Sequence, residues 1–269
     1  MILADDSPPS TGTGAPRVRR SLDGERLLAV FGQLVEPLGR SLPATSEVVL
    51  HDLSLLPNSI VAIHGNVTGR VVGDPATDLL LERIAAKQVA DSFVNYETVL
   101  PDGRRLRSST MIIRDVAQTP VAALCINTDT SAWQTVEVVA RAMLGTLAPD
   151  DAQALVSPDV PSQVPMVAQG GPAAGGGPHE TFVRDIDELA QVILTKAIDE
   201  TGVPVELMHK RHKVDVVRQL EARGLFLLKD AVELAAHALQ VTRFTIYNYL
   251  NEIHDQAQEE DDRKASNEV

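Results

Sequence analysis

The stretch DAVELAAHALQVTRFTIYNYL, residues 230–250, has the pattern of two short helices joined by a tight turn. Two helices that cross closely need small residues at the crossing, and Ala235 and Ala236 supply them. Apolar residues must also pin the two helices together. The residues spaced to do this are Leu239, Val241, Ile246 and either Tyr249 or Leu250. The stretch therefore predicts a helix-turn-helix.

The second helix of such a motif lies in the major groove of DNA, with its first residues at the base edges. Thr242 is placed to cap the start of this helix. Ile246 is expected to face the core. The residues that this geometry turns toward DNA are Thr242, Arg243, Phe244, Tyr247 and Asn248.

The outward side chains have chemistry that suits this task. Arg243 can bond guanine bidentately or clamp a phosphate, and Asn248 can read adenine. Thr242 and Tyr247 carry hydroxyls that can contact phosphate oxygens. Gln240 stands where the turn usually has glycine, so it must adopt a strained conformation or relax the turn. An ordinary helical hairpin is the alternative, but the turn length, crossing residues, cap and polar face together favour double-stranded DNA as a partner.

Composition limits the remaining possibilities. A chain of 269 residues is comfortable for two domains. Hydrophobic residues make up 44% and aromatic residues only 3%, so the cores must be aliphatic. The single cysteine, Cys125, excludes an internal disulfide framework and fits a reducing cytoplasm. No apolar run approaches the ~20 residues that span a bilayer, so neither a membrane partner nor a secretory signal is expected.

The net charge of −13 argues against a DNA-binding protein until its placement is considered. Residues 206–254 carry seven basic and six acidic residues, a local charge of +1. Residues 255–269 carry six acidic and two basic residues. DNA binding depends on local charge, so the acidity weakens the prediction without removing it.

Composition also divides the chain. Residues 148–180 are rich in proline and glycine and predict a flexible linker. Residues 1–20 are expected to form a disordered leader, and residues 255–269 an acidic disordered tail. A sensor domain is thus predicted over 21–147, and a helical region over 181–254 that holds the helix-turn-helix at 213–254.

The N-terminal part alternates helical and extended patterns, which indicates an α+β domain. A first helix should bury Leu27, Val30, Phe31, Leu34 and Leu38. A second helix is predicted over 76–90, capped by Asp74. The turn Pro101-Asp102-Gly103 predicts a hairpin. The five predicted strands are 47–53, 59–64, 93–100, 106–114 and 121–128.

Three helices are predicted in the C-terminal part: 181–201, 213–223 and 229–239. The first of them has an apolar stripe between Phe182 and Ile198. This stripe suggests a surface for dimerisation.

Several blocks of sequence resemble a known family. The blocks VVLHDL at 48–53, NSIVAI at 58–63, GDPATD at 73–78, LRSST at 106–110 and ALCIN at 123–127 resemble the YheO-like PAS domain. The blocks RGLFLLK at 223–229 and VTRFTIYNYL at 241–250 resemble its partner helix-turn-helix, as in bacterial D-arginine-utilisation regulators. The resemblance implies a PAS-type antiparallel five-stranded sensor sheet and control of transcription, as a repressor of catabolic genes. It also implies homodimers on two half-sites.

A PAS-type sheet implies a small-molecule effector between the sheet and its inserted helices. An amino acid such as arginine would need a cation for its carboxylate and an acid for its amine, which Arg70 and either Asp74 or Asp129 could provide. The alternative is that these polar groups stabilise turns and strand ends. The candidate ligand-binding residues are Asn66, Arg70, Asp74, Ser108, Ser109, Thr110, Asn127 and Asp129.

Other functions have less support. An enzyme is not expected, because the chain lacks G-x-S-x-G, H-E-x-x-H and paired cysteines. No cofactor or metal is expected either, since His209 and His212 have no evident third ligand. A protein-interaction adaptor is the alternative function, but it gives Arg243 and Asn248 no special reason to be exposed.

Overall fold

A computed structural model describes residues 21–86, 92–146 and 180–267, with side chains described as far as 258. The predicted leader and nearly all of the predicted linker lie outside the described residues. Among the helices described, none is both long and apolar enough to cross a membrane.

The predicted five-stranded antiparallel sheet is confirmed. Its spatial order is β2-β1-β5-β4-β3, and all neighbouring strands run antiparallel. The predicted hairpin around Pro101-Asp102-Gly103 joins β3 to β4. The strands are β1 (Ser46–Asp52), β2 (Ile60–His64), β3 (Phe93–Val99), β4 (Arg105–Arg114) and β5 (Pro120–Asp129).

Helix α1 (Leu22–Ser41) covers one face of the sheet. Its N-cap is Ser21, whose hydroxyl accepts from the Gly24 amide at 3.0 Å. The predicted buried stripe is wrong at two positions, because Val30 is 56% and Leu34 is 42% exposed. The helix is rotated so that Val35 reaches the core instead.

Helix α2 (Asp78–Ala85) begins later than predicted and has a different cap. The hydroxyl of Thr77 accepts from the Leu80 amide at 3.3 Å. The predicted cap, Asp74, instead closes a turn by accepting from the Val71 amide at 2.8 Å.

Helix α3 (Ser131–Met143) follows the last strand and was not predicted. None of its residues is buried in the described structure. Its apolar side chains therefore remain on the surface of the described structure.

The C-terminal part contains α4 (Ile186–Asp199), α5 (Lys210–Ala222), α6 (Ala231–Ala238) and α7 (Arg243–Asn267). Two predictions are wrong here. The helix predicted from 181 begins at Ile186, and the acidic segment predicted to be a disordered tail continues α7 to Asn267.

The apolar stripe of α4 is not free to pair with a second copy. Leu189, Ile193 and Ala197 are each at most 1% exposed, because they lie in the core of their own chain. The predicted dimerisation surface is therefore wrong.

The helical part packs directly on α2 of the N-terminal domain. Leu80 and Leu81 of α2 share one core with Ile193 and Leu220. Gly224, which has a left-handed φ of +76°, allows the closest approach: a Cβ there would lie 2.9 Å from the Leu81 carbonyl oxygen. The two parts of the chain are thus docked on each other.

Candidate functional site

The helix-turn-helix is formed by α6, the turn at 239–242 and α7. Ala235 and Ala236 lie at the buried crossing, as predicted. Leu239 and Ile246 are both fully buried and fix one helix against the other. The predicted internal packing of the motif is confirmed.

The turn itself contains the strain expected at Gln240. This residue has a φ of 51°, in the left-handed region that glycine adopts most easily. Its amide donates to the His237 carbonyl at 3.2 Å. The Lys213 ammonium donates to the neighbouring Leu239 carbonyl at 2.8 Å and so ties the turn to α5.

Thr242 caps α7 as predicted, because its hydroxyl accepts from the Thr245 amide at 3.2 Å. All five residues predicted to face DNA are exposed on one end of α7. Phe244 is 73% exposed, a large value for an aromatic side chain. Arg243 makes an exposed ion pair with Glu233 of α6 at 3.3 Å. The surface thus offers a guanidinium, an amide, two hydroxyls and an aromatic ring to a partner.

A second group of polar residues lies on the sheet face away from α1. The strand register places Glu47 beside Asn127, and Asn127 beside Ser108. The Asn127 amide donates to Glu47 Oε1 at 3.3 Å, and the Ser108 hydroxyl donates to Asn127 Oδ1 at 3.0 Å. Thr98 Oγ1 lies 3.2 Å from Ser108 Oγ and extends the row to β3.

Glu47 is fully buried and organises the loop after β2. Its carboxylate accepts from the amides of Val67 and Thr68, at 2.9 and 3.1 Å. Arg70 is also buried, with Nη2 at 4.0 Å from Glu47 Oε1 and Nε donating to the Thr68 hydroxyl at 3.1 Å. A buried cation therefore lies beside the polar row.

Tyr96, Thr110 and Cys125 form a shorter chain of hydrogen bonds on the same face. The Tyr96 hydroxyl lies 3.0 Å from Thr110 Oγ1, which lies 3.3 Å from Cys125 Sγ. Burial raises the pKa of the Cys125 thiol to about 12, so the side chain stays protonated. Cys125 is a free, buried cysteine.

The structure separates the eight candidate ligand residues into two groups. Arg70, Ser108, Thr110 and Asn127 come together in this buried polar cluster. The other four residues lie outside the cluster, and the contacts found for them are with nearby loops and strands. Ser109 accepts from the Asn95 amide, Asp129 pairs with Arg104 at 3.2 Å, Asp74 closes its turn, and Asn66 is exposed.

Sequence reasoning missed Glu47, Tyr96 and Glu180, which also belong to the cluster. The sequence did contain a signal for Glu47, which directly precedes the apolar run 48–50 of β1. Because successive side chains of a strand point to opposite faces, its carboxylate must lie on one face of the sheet among apolar neighbours. Glu180 follows the predicted linker and comes near Tyr96 only through the tertiary fold.

His51 has a structural role. Its Nδ1 lies 2.8 Å from the Ser59 hydroxyl, and burial, followed by the charge of Arg70, lowers its pKa to about 3. His209 and His212 lie near each other, but the described residues contain no group of three or more side chains suited to a metal ion.

Comparison with protein families identifies both halves. Residues 23–145 match the YheO-like PAS domain, and residues 189–251 match an HTH (helix-turn-helix) domain. The chain therefore joins a YheO-like PAS domain to a helix-turn-helix domain, a combination that supports DNA-binding regulation of transcription.

The chain is similar to an uncharacterized protein of Escherichia coli, YheO, with 27% identity over 84% of each chain. It is 27% identical to the transcriptional regulator DauR of Pseudomonas aeruginosa, over 77% of this chain and 85% of that one. An uncharacterized protein of Haemophilus influenzae is 23% identical over 86% of this chain and 93% of its own. No solved structure matches.

Proposed function

We propose that this protein is a cytoplasmic repressor that reads its operator with the first turns of α7. The observation that carries the proposal is the two-sided character of this helix. Ile246 is fully buried against α6, while Arg243, Phe244 and Asn248 face outward without a covering element among the described residues. Guanine and adenine edges are the partners that these arginine and asparagine side chains fit.

The test is an electrophoretic mobility assay of the full chain carrying both Arg243→Ala and Asn248→Ala. The DNA is the operator recovered by sequencing genomic fragments bound by the wild type. Loss of two base contacts should weaken specific binding by more than about tenfold, since each is worth about 1–3 kcal/mol. Wild-type binding should also weaken steeply as salt rises.

The control carries Arg40→Ala and Gln33→Ala, which remove the same charge and a similar amide from the exposed side of α1. It should bind DNA like the wild type. Retained binding by the α7 variant would contradict the recognition surface. Failure of the wild type to bind any DNA would favour an adaptor.

We further propose that the buried polar cluster senses a small metabolite, with an amino acid such as arginine as the first candidate. Arg70, Ser108 and Asn127 offer donors and acceptors in a setting shielded from water, where hydrogen bonds to a ligand are strong. Arginine and other amino acids should raise the melting temperature of the full chain. A broad metabolite panel without any shift would contradict the sensor role.

We propose that two copies pair through α3. Trp133, Val136, Ala140 and Met143 recur at spacings of three, four and three residues, the pattern of a helical seam. Trp133 is 69% and Met143 is 85% exposed, and a reader of paired half-sites needs a second copy. Sedimentation should give a dimer that Val136→Glu converts to a monomer. A monomeric wild type would contradict pairing through α3.

A further inference from the structure

Residues 180–183, here called the strap, cross the polar face of the sensor sheet just before α4. Glu180, Phe182 and Val183 are at most 9% exposed. The strap is anchored to the start of α2, because the Thr181 amide donates to Asp78 Oδ1 at 2.6 Å. A segment of the helical part therefore closes the polar cluster of the sensor part.

Phe182 covers the cationic end of the cluster. Its ring centroid lies 4.9 Å from Arg70 Cζ, a distance typical of a cation–π contact. The ring also packs with Val67, Leu100 and Leu106. The guanidinium of Arg70 is thus enclosed by the strap and is 3% exposed.

Two buried polar atoms remain without a hydrogen-bond partner among the described residues: Arg70 Nη1 and Glu180 Oε2. Arg70 is basic and Glu180 is acidic, and the charge of Arg70 acts on the Glu180 carboxyl, but the ion pair found for Arg70 is with Glu47, at 4.0 Å. Burial raises the pKa of the Glu180 carboxyl, which has Thr77, Arg70 and Tyr96 as its polar neighbours. Unsatisfied polar groups at such burial are costly, and a bound molecule with complementary groups would remove the cost.

We propose that Arg70 and Glu180 are the two poles of the effector site, which takes a small zwitterion with a carboxylate and an ammonium group. Arg70 binds the carboxylate and Glu180 binds the ammonium. This inference rests on the proposed sensor function. In this proposal the acid of the site is Glu180, at the end of the predicted linker, in place of Asp74 and Asp129, which are engaged in local contacts.

The position of Glu180 makes the helical part a participant in binding. Lys196 of α4 donates to Asp78 Oδ2 at 2.5 Å and to the Thr181 hydroxyl at 3.1 Å. The strap, α2 and α4 are therefore clasped together beside the site. A zwitterion held between Arg70 and Glu180 tightens the docking of the helical part on the sensor, which couples the effector to the DNA-reading helix.

The experiment is calorimetric titration of the full chain with the standard amino acids in both enantiomeric forms. For the tightest binder, the matching amine without a carboxylate and the matching acid without an amine are titrated as well. Both analogues should bind at least about tenfold more weakly, because each leaves one buried pole unpaired. An acid that binds as tightly as the amino acid, or the absence of binding by any amino acid, would overturn the proposal.

Glu180→Gln should weaken binding of the same amino acid at least about tenfold. Its control is Glu188→Gln, an exposed carboxylate in the first turn of α4, which should bind like the wild type. Equal affinity of the two variants would show that Glu180 is not a pole of the site.

Hydrogen exchange supplies a readout independent of any substitution. The amino acid should slow amide exchange in residues 180–194 as well as in the loop at 66–70. Slowing confined to the loop would overturn the role of the strap. DNA binding without effector tests the proposed regulator separately, so the failure of one leaves the other standing.

Discussion

Replacement of Gln240 by glycine should stabilise the protein, although it shortens a side chain. Gln240 has a φ of 51°, and a left-handed conformation costs a non-glycine residue about 1–2 kcal/mol. Glycine removes this cost but gains freedom in the unfolded chain, which offsets about 0.4–1 kcal/mol. The side chain is exposed, so little packing is lost. The free energy of unfolding should therefore rise by about 0.8 kcal/mol.

Urea denaturation of the full chain, followed by far-ultraviolet circular dichroism, measures this change. The transition midpoint should move upward with an unchanged slope, which indicates a change in stability rather than in exposed surface. Gln240→Ala is the matched control, because alanine also lacks the side-chain amide but keeps the strain. A Gln240→Gly variant no more stable than Gln240→Ala would refute the inference that the turn is strained.

Three further predictions concern stability and DNA affinity. The pKa of His51 is lowered to about 3 in the folded chain, while an unfolded histidine titrates near 6.5, so moderate acid protonates this residue only in the unfolded chain. Lowering the pH from about 7 to about 5 should therefore reduce the free energy of unfolding by about 2 kcal/mol, a loss that His51→Asn avoids. Gly224→Ala should destabilise the chain by about 1–3 kcal/mol, since its Cβ meets the Leu81 carbonyl and its φ is left-handed. Glu233→Gln should raise DNA affinity by up to about fivefold, because it frees Arg243 from an exposed ion pair.

Each of these has its own control. Urea titrations at both pH values separate His51 from the other groups by comparison with His51→Asn, and equal acid sensitivity of the two chains would contradict the assignment. For Gly224→Ala the control is Gly202→Ala, because Gly202 also has a left-handed φ of +63° but has open space where a Cβ would lie. An equal loss of stability in the two variants would show that the contact with Leu81 contributes nothing. For Glu233→Gln, the comparison is Glu188→Gln, and equal affinities would show that Glu233 does not compete with DNA.

The sheet could be predicted because its strands have patterns that depend on their own residues. Alternation and the Pro101-Asp102-Gly103 turn located β3 and β4, and the apolar runs located β1 and β5. The helix-turn-helix was equally local. Helix α3 was missed although Trp133, Val136, Ala140 and Met143 recur at helical spacing, so its pattern was readable from the sequence.

The proposed effector site was only half predictable, because its residues meet through tertiary packing. Ser108, Thr110 and Asn127 interrupt apolar strands and so stood out in the sequence. Glu180 did not, since its neighbours Tyr96 and Arg70 are far away along the chain. The face of a strand also decides a role: Ser109, between two cluster residues, points to the other side of the sheet.

Exposed ion pairs occupy several basic side chains of the helical part. DNA phosphates must displace the acidic partners of these side chains, so we expect one subunit to bind DNA weakly. Exposed pairs of this kind are worth about 0–1 kcal/mol, so a phosphate can replace the acid, but the exchange lowers the net gain. Among the described residues, the lysine and arginine pairs within the helical part are Lys210–Glu252, Arg218–Asp215, Arg223–Glu200 and Arg243–Glu233. In the proposed dimer, two subunits acting together would bind the operator more tightly than one.

The docked arrangement also limits how an effector can act. Phe244 is 73% exposed and Arg243 is exposed while the helical part is packed on the sensor, so docking does not cover the recognition surface. An effector between Arg70 and Glu180 therefore cannot control access to DNA by uncovering α7. It can fix the direction of α7 relative to the sensor. In a dimer joined through α3, this direction sets whether the two recognition helices match half-sites about one DNA turn, or ~34 Å, apart. Control by geometry needs only a modest preference between two orientations, of the size that a single ligand supplies.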